Sequence, residues 1–306
     1  MANKLVFIVG PTAIGKTGIS FELAKLVECE MISCDSMQVY RGMNVGTSKP
    51  AKVLLSSIPH HLIDIIEPSE EFSVAQFRAL AVKAIEDIIS RRKTPLLVGG
   101  SGLYVKVLID GIFEAPVTDR ELRQRLEQEA EEFSVGQLYA RLEQADPKSA
   151  AKIHANDLRR IIRALEVFEK ASAPISELRK RTSGLGDEYE VRIFGLEMER
   201  AALYEKIDER VEQMFSEGLV NEARALMDAE GLSLTASQAL GYKEAFGYLA
   251  GDYDIEEAKR LTKRNTRHFA KRQMTWFKRD PRIEWIMLEK DFDTEEKARA
   301  IWKKLS

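Results

Sequence analysis

Apolar runs bounded by turn residues alternate with helical spacing in the first hundred residues. Residues 4–9, KLVFIV, form an apolar run that ends at Gly10 and Pro11, as is typical of a buried parallel strand. The apolar residues that follow recur at helical spacing, which predicts a helix opening at Lys16 or Thr17. Three further strands are predicted at EMISC, at LIDII over residues 62–66, and at PLLV over residues 95–98.

A second helix is predicted from a capping signal. Ser73 is followed three residues later by Gln76, which is a capping box, and apolar residues then recur at helical spacing as far as Ile88. Strands that alternate with helices indicate an α/β fold with a P-loop parallel sheet core and helices on both faces. Ligands of such sheets bind beyond the carboxyl ends of the strands.

The pattern changes to helices without strands over residues 115–189. Ser134 with Gln137 predicts another capping box, and Asn156 is expected to cap the helix NDLRRIIRALEVFEK. Strand patterns return at residues 191–198 and 282–288. We therefore expect a core domain formed by residues 1–114 and 190–306, with an inserted all-helical domain formed by residues 115–189.

Composition narrows the class of protein. Of the 306 residues, 44% are hydrophobic and 31% charged, and the net charge is −3, which is ordinary for a globular protein and not for a generally basic one. No apolar stretch is long enough to cross a bilayer, and no cleavage site precedes the first strand. Cys29 and Cys34 have no second pair, so we expect buried thiols and no disulfide or zinc site. The cytoplasm is the expected location.

The first loop carries a phosphate-binding pattern. GPTAIGKT has the spacing G-x-x-x-x-G-K-[ST], which directs backbone N–H groups and one lysine at phosphate oxygens. The predicted diphosphate-binding residues are Gly10, Pro11, Thr12, Ala13, Ile14, Gly15, Lys16 and Thr17. Many such proteins hold Mg²⁺ through an acid that ends a hydrophobic strand, whereas PLLV ends in Gly99 and Gly100. That difference weakens an ATPase interpretation.

Two polar residues follow predicted strands close to this loop. Asp35 ends the second strand, where it is either a turn or capping residue or a general base. Ser101 lies in GGSGLY, which is either a tight turn or a place where a substrate approaches the backbone beside a hydroxyl group. A nucleoside kinase also fits these features.

The last third of the chain contains a concentrated basic segment. Residues 259–282 hold ten lysines or arginines and one acid, and Arg260, Arg264, Arg267 and Lys271 share one face of the predicted helix. RRIIR, residues 159–163, adds a second cluster. A solvated helix face is the ordinary explanation of such a run, but the strength of the bias favours nucleic-acid binding.

Seven blocks now identify a family resemblance. The blocks GPTAIGKT, SCDSMQVYRGMNVGTSKP, PHHLID, LLVGGSGLY, IHANDLRRIIRALEV, QALGYKE and RNTRHFAKRQMTWFKR follow one another between residue 10 and about residue 279. In this order they resemble the bacterial tRNA dimethylallyltransferases. The resemblance implies transfer of a dimethylallyl group from dimethylallyl diphosphate to N6 of the adenosine 3′-adjacent to the anticodon of tRNA.

The resemblance also implies roles for particular residues. The P-loop would hold the donor's diphosphate with Lys16, Thr17 would ligate Mg²⁺, Arg210 would contact the diphosphate, and Asp35 would be the general base. Ser101 would lie beside the channel that receives the target base. Implied tRNA contacts are Asp35, Ser36, Met37, Gln38, Ser101, Arg123, Arg159, Arg160, Ile161, Ile162, Arg163, Gln238, Ala239, Leu240, Gly241, Tyr242 and Lys243. The implied cofactor is Mg²⁺, the partners are tRNA and dimethylallyl diphosphate, and the protein is expected to be a monomer.

Two other functions remain open from the residues themselves. A phosphotransferase of the nucleoside or shikimate kinase type shares the P-loop and a strand-end aspartate, but it leaves the basic helix and the insertion unexplained. An RNA-binding protein without catalysis would bind tRNA whether or not Asp35 and Thr17 were present.

Overall fold

The computed structural model describes residues 4–113, 119–178, 182–229 and 231–305. Within them, six strands form a single sheet in the order β3-β2-β4-β1-β5-β6. The strands are β1 Lys4–Val9, β2 Cys29–Ser33, β3 His60–His61, β4 Thr94–Gly99, β5 Glu190–Met198 and β6 Ile283–Leu288.

Every neighbouring pair of strands in this sheet is parallel. The residues of β1 from Leu5 to Val9 are all buried, and alternate side chains of a strand point to opposite faces. Both faces of the sheet are therefore covered at β1, as a near-continuous apolar run predicts. The predicted α/β fold with a parallel sheet is confirmed.

The chain divides into two compact units. The first comprises the described residues up to Ile109 and those from Glu188 onward. Its helices are α1 Lys16–Ala24, α2 Lys52–Ser57, α3 Val74–Ser90, α4 Gly102–Ile109, α10 Arg200–Ser216, α11 Leu219–Asp228, α12 Leu234–Ser237, α13 Tyr242–Ala250, α14 Ile255–Phe277 and α15 Thr294–Leu305. In its main apolar cluster, Ile301 and Ala298 of α15 pack with Ile19 and Leu23 of α1.

The second unit, Asp110–Asp187, has a core of its own. Its helices are α5 Arg120–Glu132, α6 Val135–Ala145, α7 Pro147–Ala150, α8 Leu158–Ala171 and α9 Ile175–Leu178, followed by a single 3-10 turn at Leu185–Asp187. Leu126, Leu142, Ile161 and Leu165 pack together in that core. The insertion was predicted to begin at residue 115, which lies outside the described residues.

Of the local features predicted from the sequence, some are confirmed and others are wrong. The capping box of Ser73 and Gln76 forms as predicted. The strand predicted at LIDII is wrong, because Leu62 and Asp64 have φ of 64° and 54°, outside the range of a strand, and β3 lies just before them. Ser134 precedes α6, but its side chain accepts no capping hydrogen bond.

The cap of the helix through RRIIR is also different from the prediction. Asp157 begins α8 by accepting a hydrogen bond from the backbone N–H of Arg160, so the cap lies one residue after Asn156. Among the described helices of the whole chain, none is long and apolar enough to cross a membrane.

Candidate diphosphate and tRNA site

The predicted phosphate-binding loop connects β1 to α1. Gly15 has φ of 96°, a left-handed conformation that glycine adopts without strain, and α1 begins at the next residue. A Cβ atom at Gly15 would lie 2.6 Å from Cζ of Phe292, so the ring of Phe292 supports the loop from behind. The N-terminus of α1 thus carries the N–H groups and the positive dipole end that favour phosphate.

Lys16 is folded back onto this loop. Its Nζ donates to the carbonyl oxygens of Gly10, at 3.1 Å, and Pro11, at 2.8 Å. Burial lowers the pKa of Lys16 to about 8, while Asp35 acts to raise it and Arg210 to lower it. Among the described residues this partly exposed ammonium group donates only to neutral carbonyl oxygens, which makes it an electrostatic site for an anion.

Arg210, on α10, reaches the same loop. Its Nη1 donates to Oγ1 of Thr12 at 2.6 Å. Burial also lowers the pKa of Arg210, against the effect of Asp35, which raises it. No ion pair joins Asp35 to Lys16 or Arg210 in the described part of the chain. Two partly exposed cations and one carboxylate therefore line the same space without ion pairs between them.

The segment after β2 and the turn after β4 are joined by hydrogen bonds. The Ser101 N–H donates to the Cys34 carbonyl at 3.1 Å, and the Ser36 N–H donates to Ser101 Oγ at 3.1 Å. Asp35 Oδ1 accepts the Met37 N–H at 2.9 Å. The turn role considered for Asp35 is thus present, and it fixes the carboxylate without using both of its oxygens.

One cavity, about 760 Å³ in volume, collects most of these groups. Residues 12–17, Asp35, Gln38 and Arg210 line it, whereas Ser101 does not and instead contacts Ser36 next to Asp35. A cavity of this size with a few polar groups accommodates a small-molecule ligand. The arrangement brings the predicted phosphate cradle and the predicted base to the same space.

Several lining residues escaped sequence reasoning. Lys206, Glu209 and Gln213 share a helix face with Arg210, so their spacing in α10 was a usable signal. Residues 44, 45 and 47–49 also line the cavity, and they lie in the block SCDSMQVYRGMNVGTSKP, although no site role was predicted for them. Gln273 lies on the buried face of the basic helix α14, and a polar residue at an apolar-spaced position was the signal.

The residues present fit a magnesium ion that is held mostly by ligand and water. Thr17 is exposed in the first turn of α1. Within the described residues no three His, Cys, Asp or Glu side chains converge on a metal position. Mg²⁺ commonly keeps several waters and binds through one or two protein groups plus substrate phosphates, so a lone Thr17 suits it. Ser20 Oγ, one turn later, is buried and has no hydrogen-bond partner among the described residues.

The predicted tRNA contacts at residues 238–243 include both exposed and buried side chains. Gln238 and Lys243 are exposed, and Lys243 Nζ donates to Gln238 Oε1 at 2.8 Å. Tyr242 is fully buried and donates its hydroxyl proton to Glu222, and Ala239 is buried as well. Side-chain contact with RNA from this segment would therefore come from Gln238 and Lys243.

The predicted contacts of the second unit divide in the same way. Ile161 and Ile162 belong to its core, whereas Arg159 and Arg160 are exposed. Arg123 and Arg163 both donate to the carboxylate of Glu166, whose side chain is 0% exposed. Burial acts to raise the pKa of Glu166, but the hydrogen bonds from these arginines outweigh it and lower that pKa below its ordinary value.

The basic face of α14 is less positive than its sequence suggests. Arg260 pairs with Glu257, Lys263 with Glu212, and Arg267 with Asp208. The acids come from the preceding turn of α14 or from α10, so the composition of residues 259–282 alone does not reveal them.

A parallel α/β sheet with a P-loop at the carboxyl end of β1 and a cavity beside it places the chain in the class of P-loop α/β proteins. Residues 38–280 match the model of the family described as IPP transferase, and the chain belongs to that family. The matched segment starts after the P-loop and Asp35. The roles predicted for those residues are therefore supported by their geometry and not by the family match.

Relatives and solved structures agree with this membership. The tRNA dimethylallyltransferase of Symbiobacterium thermophilum is 48% identical over 99% of this chain and 97% of the relative, and that of Halothermothrix orenii is 46% identical over 94% and 88%. The tRNA isopentenylpyrophosphate transferase of Bacillus halodurans is similar in structure with a TM-score of 0.73, at 44% identity, covering 99% of this chain and 95% of that one. A eukaryotic dimethylallyltransferase acting on tRNA has a TM-score of 0.82 at 28% identity, covering 98% and 78%.

Proposed function

We propose that the protein transfers a dimethylallyl group from dimethylallyl diphosphate to N6 of the adenosine 3′-adjacent to the anticodon of a tRNA. The observation that carries the proposal is the shared cavity, in which the P-loop and the Asp35 carboxylate face one another in a member of the IPP transferase family. A kinase would need the same cradle, but the named relatives act on tRNA.

The reaction needs one bond to form and one to break. The N6 nitrogen forms a bond to C1 of the dimethylallyl group while the C1–O bond to the diphosphate breaks, and the electron pair of that bond leaves with the diphosphate. The N6 proton becomes far more acidic as the new bond forms, so a carboxylate close to N6 can accept it. We assign that role to Asp35, which the Met37 N–H holds in place.

The leaving group gathers negative charge as the C1–O bond breaks. The loop N–H groups at the start of α1, the ammonium of Lys16 and the guanidinium of Arg210 face the space where that charge would develop. Fixed positive groups in a site of low dielectric stabilise such charge without reorganising. When bound at Thr17, Mg²⁺ would supply further neutralisation of the diphosphate.

The RNA must deliver an unpaired base to this cavity. A base stacked in a loop costs a few kcal/mol to flip out, and contacts to the surrounding RNA offset that cost. The exposed Arg159 and Arg160 in one unit, and Lys243 in the other, are suitable phosphate contacts. We expect the protein to act as a monomer.

The direct test incubates the purified protein with Mg²⁺, unmodified tRNA and dimethylallyl diphosphate labelled in its dimethylallyl group. We expect label in the RNA, and none when the target adenosine is replaced by guanosine. The wild-type protein is assayed in parallel with ATP in place of the prenyl donor, and ATP hydrolysis is measured.

The three candidate functions give different results. ATP turnover without RNA labelling would overturn the transferase proposal in favour of a phosphotransferase. Binding of tRNA without either reaction, unchanged in Asp35→Ala and Thr17→Ala, would instead indicate an RNA-binding protein.

A further inference from the structure

One glutamine of α14 connects the two halves of the proposed reaction site. The Thr12 N–H donates to Gln273 Oε1 at 2.9 Å, and Gln273 Nε2 donates to the Gly100 carbonyl at 3.0 Å. Thr12 belongs to the phosphate loop after β1, and Gly100 to the turn after β4. A single side chain thus contacts both loops. The strands before these loops, β1 and β4, pair only as far as Val9 and Gly99, so strand pairing does not join the loops themselves.

The surroundings leave this side chain little freedom. Gln273 is 8% exposed, and its helix neighbours Ala270 and Phe277 are buried on the same face. A Cβ atom at residue 100 would lie 2.2 Å from Gln273 Nε2, so only glycine leaves room for the contact. Because the amide of glutamine has one donor end and one acceptor end, its orientation is determined by the Thr12 N–H and the Gly100 carbonyl.

Both contacts continue into groups with assigned roles. On one side Thr12 Oγ1 accepts a hydrogen bond from Arg210. On the other side Ser101, next to Gly100, contacts the Cys34 carbonyl and the Ser36 N–H on either side of Asp35. A series of hydrogen bonds therefore leads from Arg210, the cation proposed to face the leaving group, to the turn that holds Asp35, the carboxylate proposed to accept the proton.

We propose that Gln273 is a positioning residue that sets the separation between the diphosphate cradle and the Asp35 turn. This inference rests on the proposed transferase function for its kinetic consequence, but the contact itself can be tested without activity. Displacing a reacting group by about 1 Å costs as much as about 10²-fold in rate, whereas the binding of each substrate depends on its own half of the site.

The kinetic test uses Gln273→Met, which keeps similar volume and removes both hydrogen bonds. We expect kcat for transfer to fall by about 10- to 100-fold, with KM for dimethylallyl diphosphate and the Kd for tRNA changed by less than about threefold. Ile85→Val, a core change in α3, is the control for a general loss of stability. An unchanged kcat in Gln273→Met, or an equal fall in Ile85→Val at a matched loss of Tm, would overturn the proposal.

Hydrogen exchange of the free protein separates this inference from the proposed function. Gln273→Met should speed exchange of the Thr12 amide by about five- to tenfold, because it removes the acceptor of that N–H. The Ser101 N–H keeps the Cys34 carbonyl as its acceptor, and its exchange should speed by a smaller factor because the Gly100 turn loses its bond to α14. Gln273→Glu keeps an acceptor for Thr12 but has no donor for Gly100, so it should speed Ser101 alone. Unchanged exchange in both variants overturns the positioning role. Faster exchange together with a wild-type protein that labels no RNA overturns the transferase function and leaves the contact established.

Discussion

Each unit of the molecule contains a cluster of two cations and one carboxylate, and the two clusters are arranged in opposite ways. In the second unit Arg123 and Arg163 donate directly to the buried Glu166. In the first unit Lys16 and Arg210 donate to neutral oxygens of the P-loop, and Asp35 accepts from a backbone N–H. The cluster of the first unit, called the open cluster below, has no ion pair between its members and can offer its charges to a ligand. The cluster of the second unit, called the closed cluster, uses its charges to hold α5 against α8.

The difference shows that a list of charged residues does not identify a binding site. Arg123 and Arg163 were implied tRNA contacts, yet both are committed to Glu166 and remain only partly exposed. A buried carboxylate that accepts bonds from two arginines stabilises the fold around it, since an unpaired buried charge is costly. Cations that lack a carboxylate partner keep the capacity to bind an anion.

Replacing the carboxylate of the open cluster should have the largest effect. Asp35→Asn should slow transfer by about 10²- to 10⁴-fold because the general base is lost, while tRNA affinity stays within about threefold. Single-turnover labelling and filter binding measure the two quantities. Asp87→Asn, which changes an exposed aspartate of α3, should keep the wild-type rate. Equal losses of rate and affinity in Asp35→Asn would make Asp35 a positioning residue for RNA.

Replacing the carboxylate of the closed cluster should affect stability instead. Glu166→Gln should lower the free energy of unfolding by about 2–3 kcal/mol, because two arginines lose their charged partner. Glu169→Gln is the matched control on α8, and its more exposed ion pairs should contribute less than about 1 kcal/mol. Urea denaturation followed by circular dichroism measures both variants. A loss no larger than that of the control would contradict the structural role.

Acid should abolish the difference in stability between the wild type and Glu166→Gln. The pKa of Glu166 is lowered in the folded protein, so its stabilising effect is fully present above the ordinary carboxyl pKa of about 4.3 and is lost as pH falls below it. The stability curves of the wild type and Glu166→Gln should therefore converge in acid. Curves that stay parallel to low pH would show that the charge of Glu166 is not responsible.

The open cluster should respond to alkaline pH. Because burial brings the pKa of Lys16 to about 8, the affinity for inorganic pyrophosphate with Mg²⁺ should fall above that pH, by up to about tenfold per unit. Lys16→Arg should lack this dependence, since arginine stays protonated, and the comparison corrects for titration of the ligand. Asp35→Asn should move the midpoint to lower pH, because Asp35 raises the pKa of Lys16. Isothermal titration calorimetry tests all three proteins.

Exposed arginines of the second unit should give the smallest effect. Arg159→Ala and Arg160→Ala should each weaken tRNA binding a few-fold and reduce the slope of log K against log salt concentration by about 0.7–0.9, as loss of one phosphate contact does. Lys148 pairs with Glu177 as Arg160 pairs with Asp157, but it lies outside RRIIR, so Lys148→Ala is the control matched for exposure and pairing and should leave the slope unchanged. An unchanged slope in both arginine variants would remove them from the RNA surface.

Local patterns predicted those parts of the fold in which the signal is contiguous. The strands at KLVFIV, PLLV and VRIFGLEM form, because a buried parallel strand is itself largely an apolar run. RIEWIML forms the edge strand β6, in which only Ile283 and Leu288 are buried. LIDII has the same composition but includes two residues with positive φ, which nothing in its pattern indicates. Neighbouring residues decide such backbone conformations, so periodicity could not reveal the error.

The charged residues of the candidate site were predictable from the sequence, but the hydrogen bonds and ion pairs that they and their neighbours form were not. The P-loop and Asp35 are marked by spacing and by strand ends. The contact of Gln273 with Thr12 joins residues 261 positions apart, and the acids that neutralise α14 come partly from α10. Contacts of this range depend on how helices pack, which a single chain's pattern does not contain.

The ring of Phe292 behind Gly15 also has a consequence for synthesis of the protein on the ribosome. The phosphate loop is made before its support, because Phe292 follows Gly15 by 277 positions and α15, which packs on α1, is made later still. The nascent chain therefore carries the phosphate loop without this support until residue 292 has been made. We expect the loop to reach its final conformation only after Phe292 and α15 have been added.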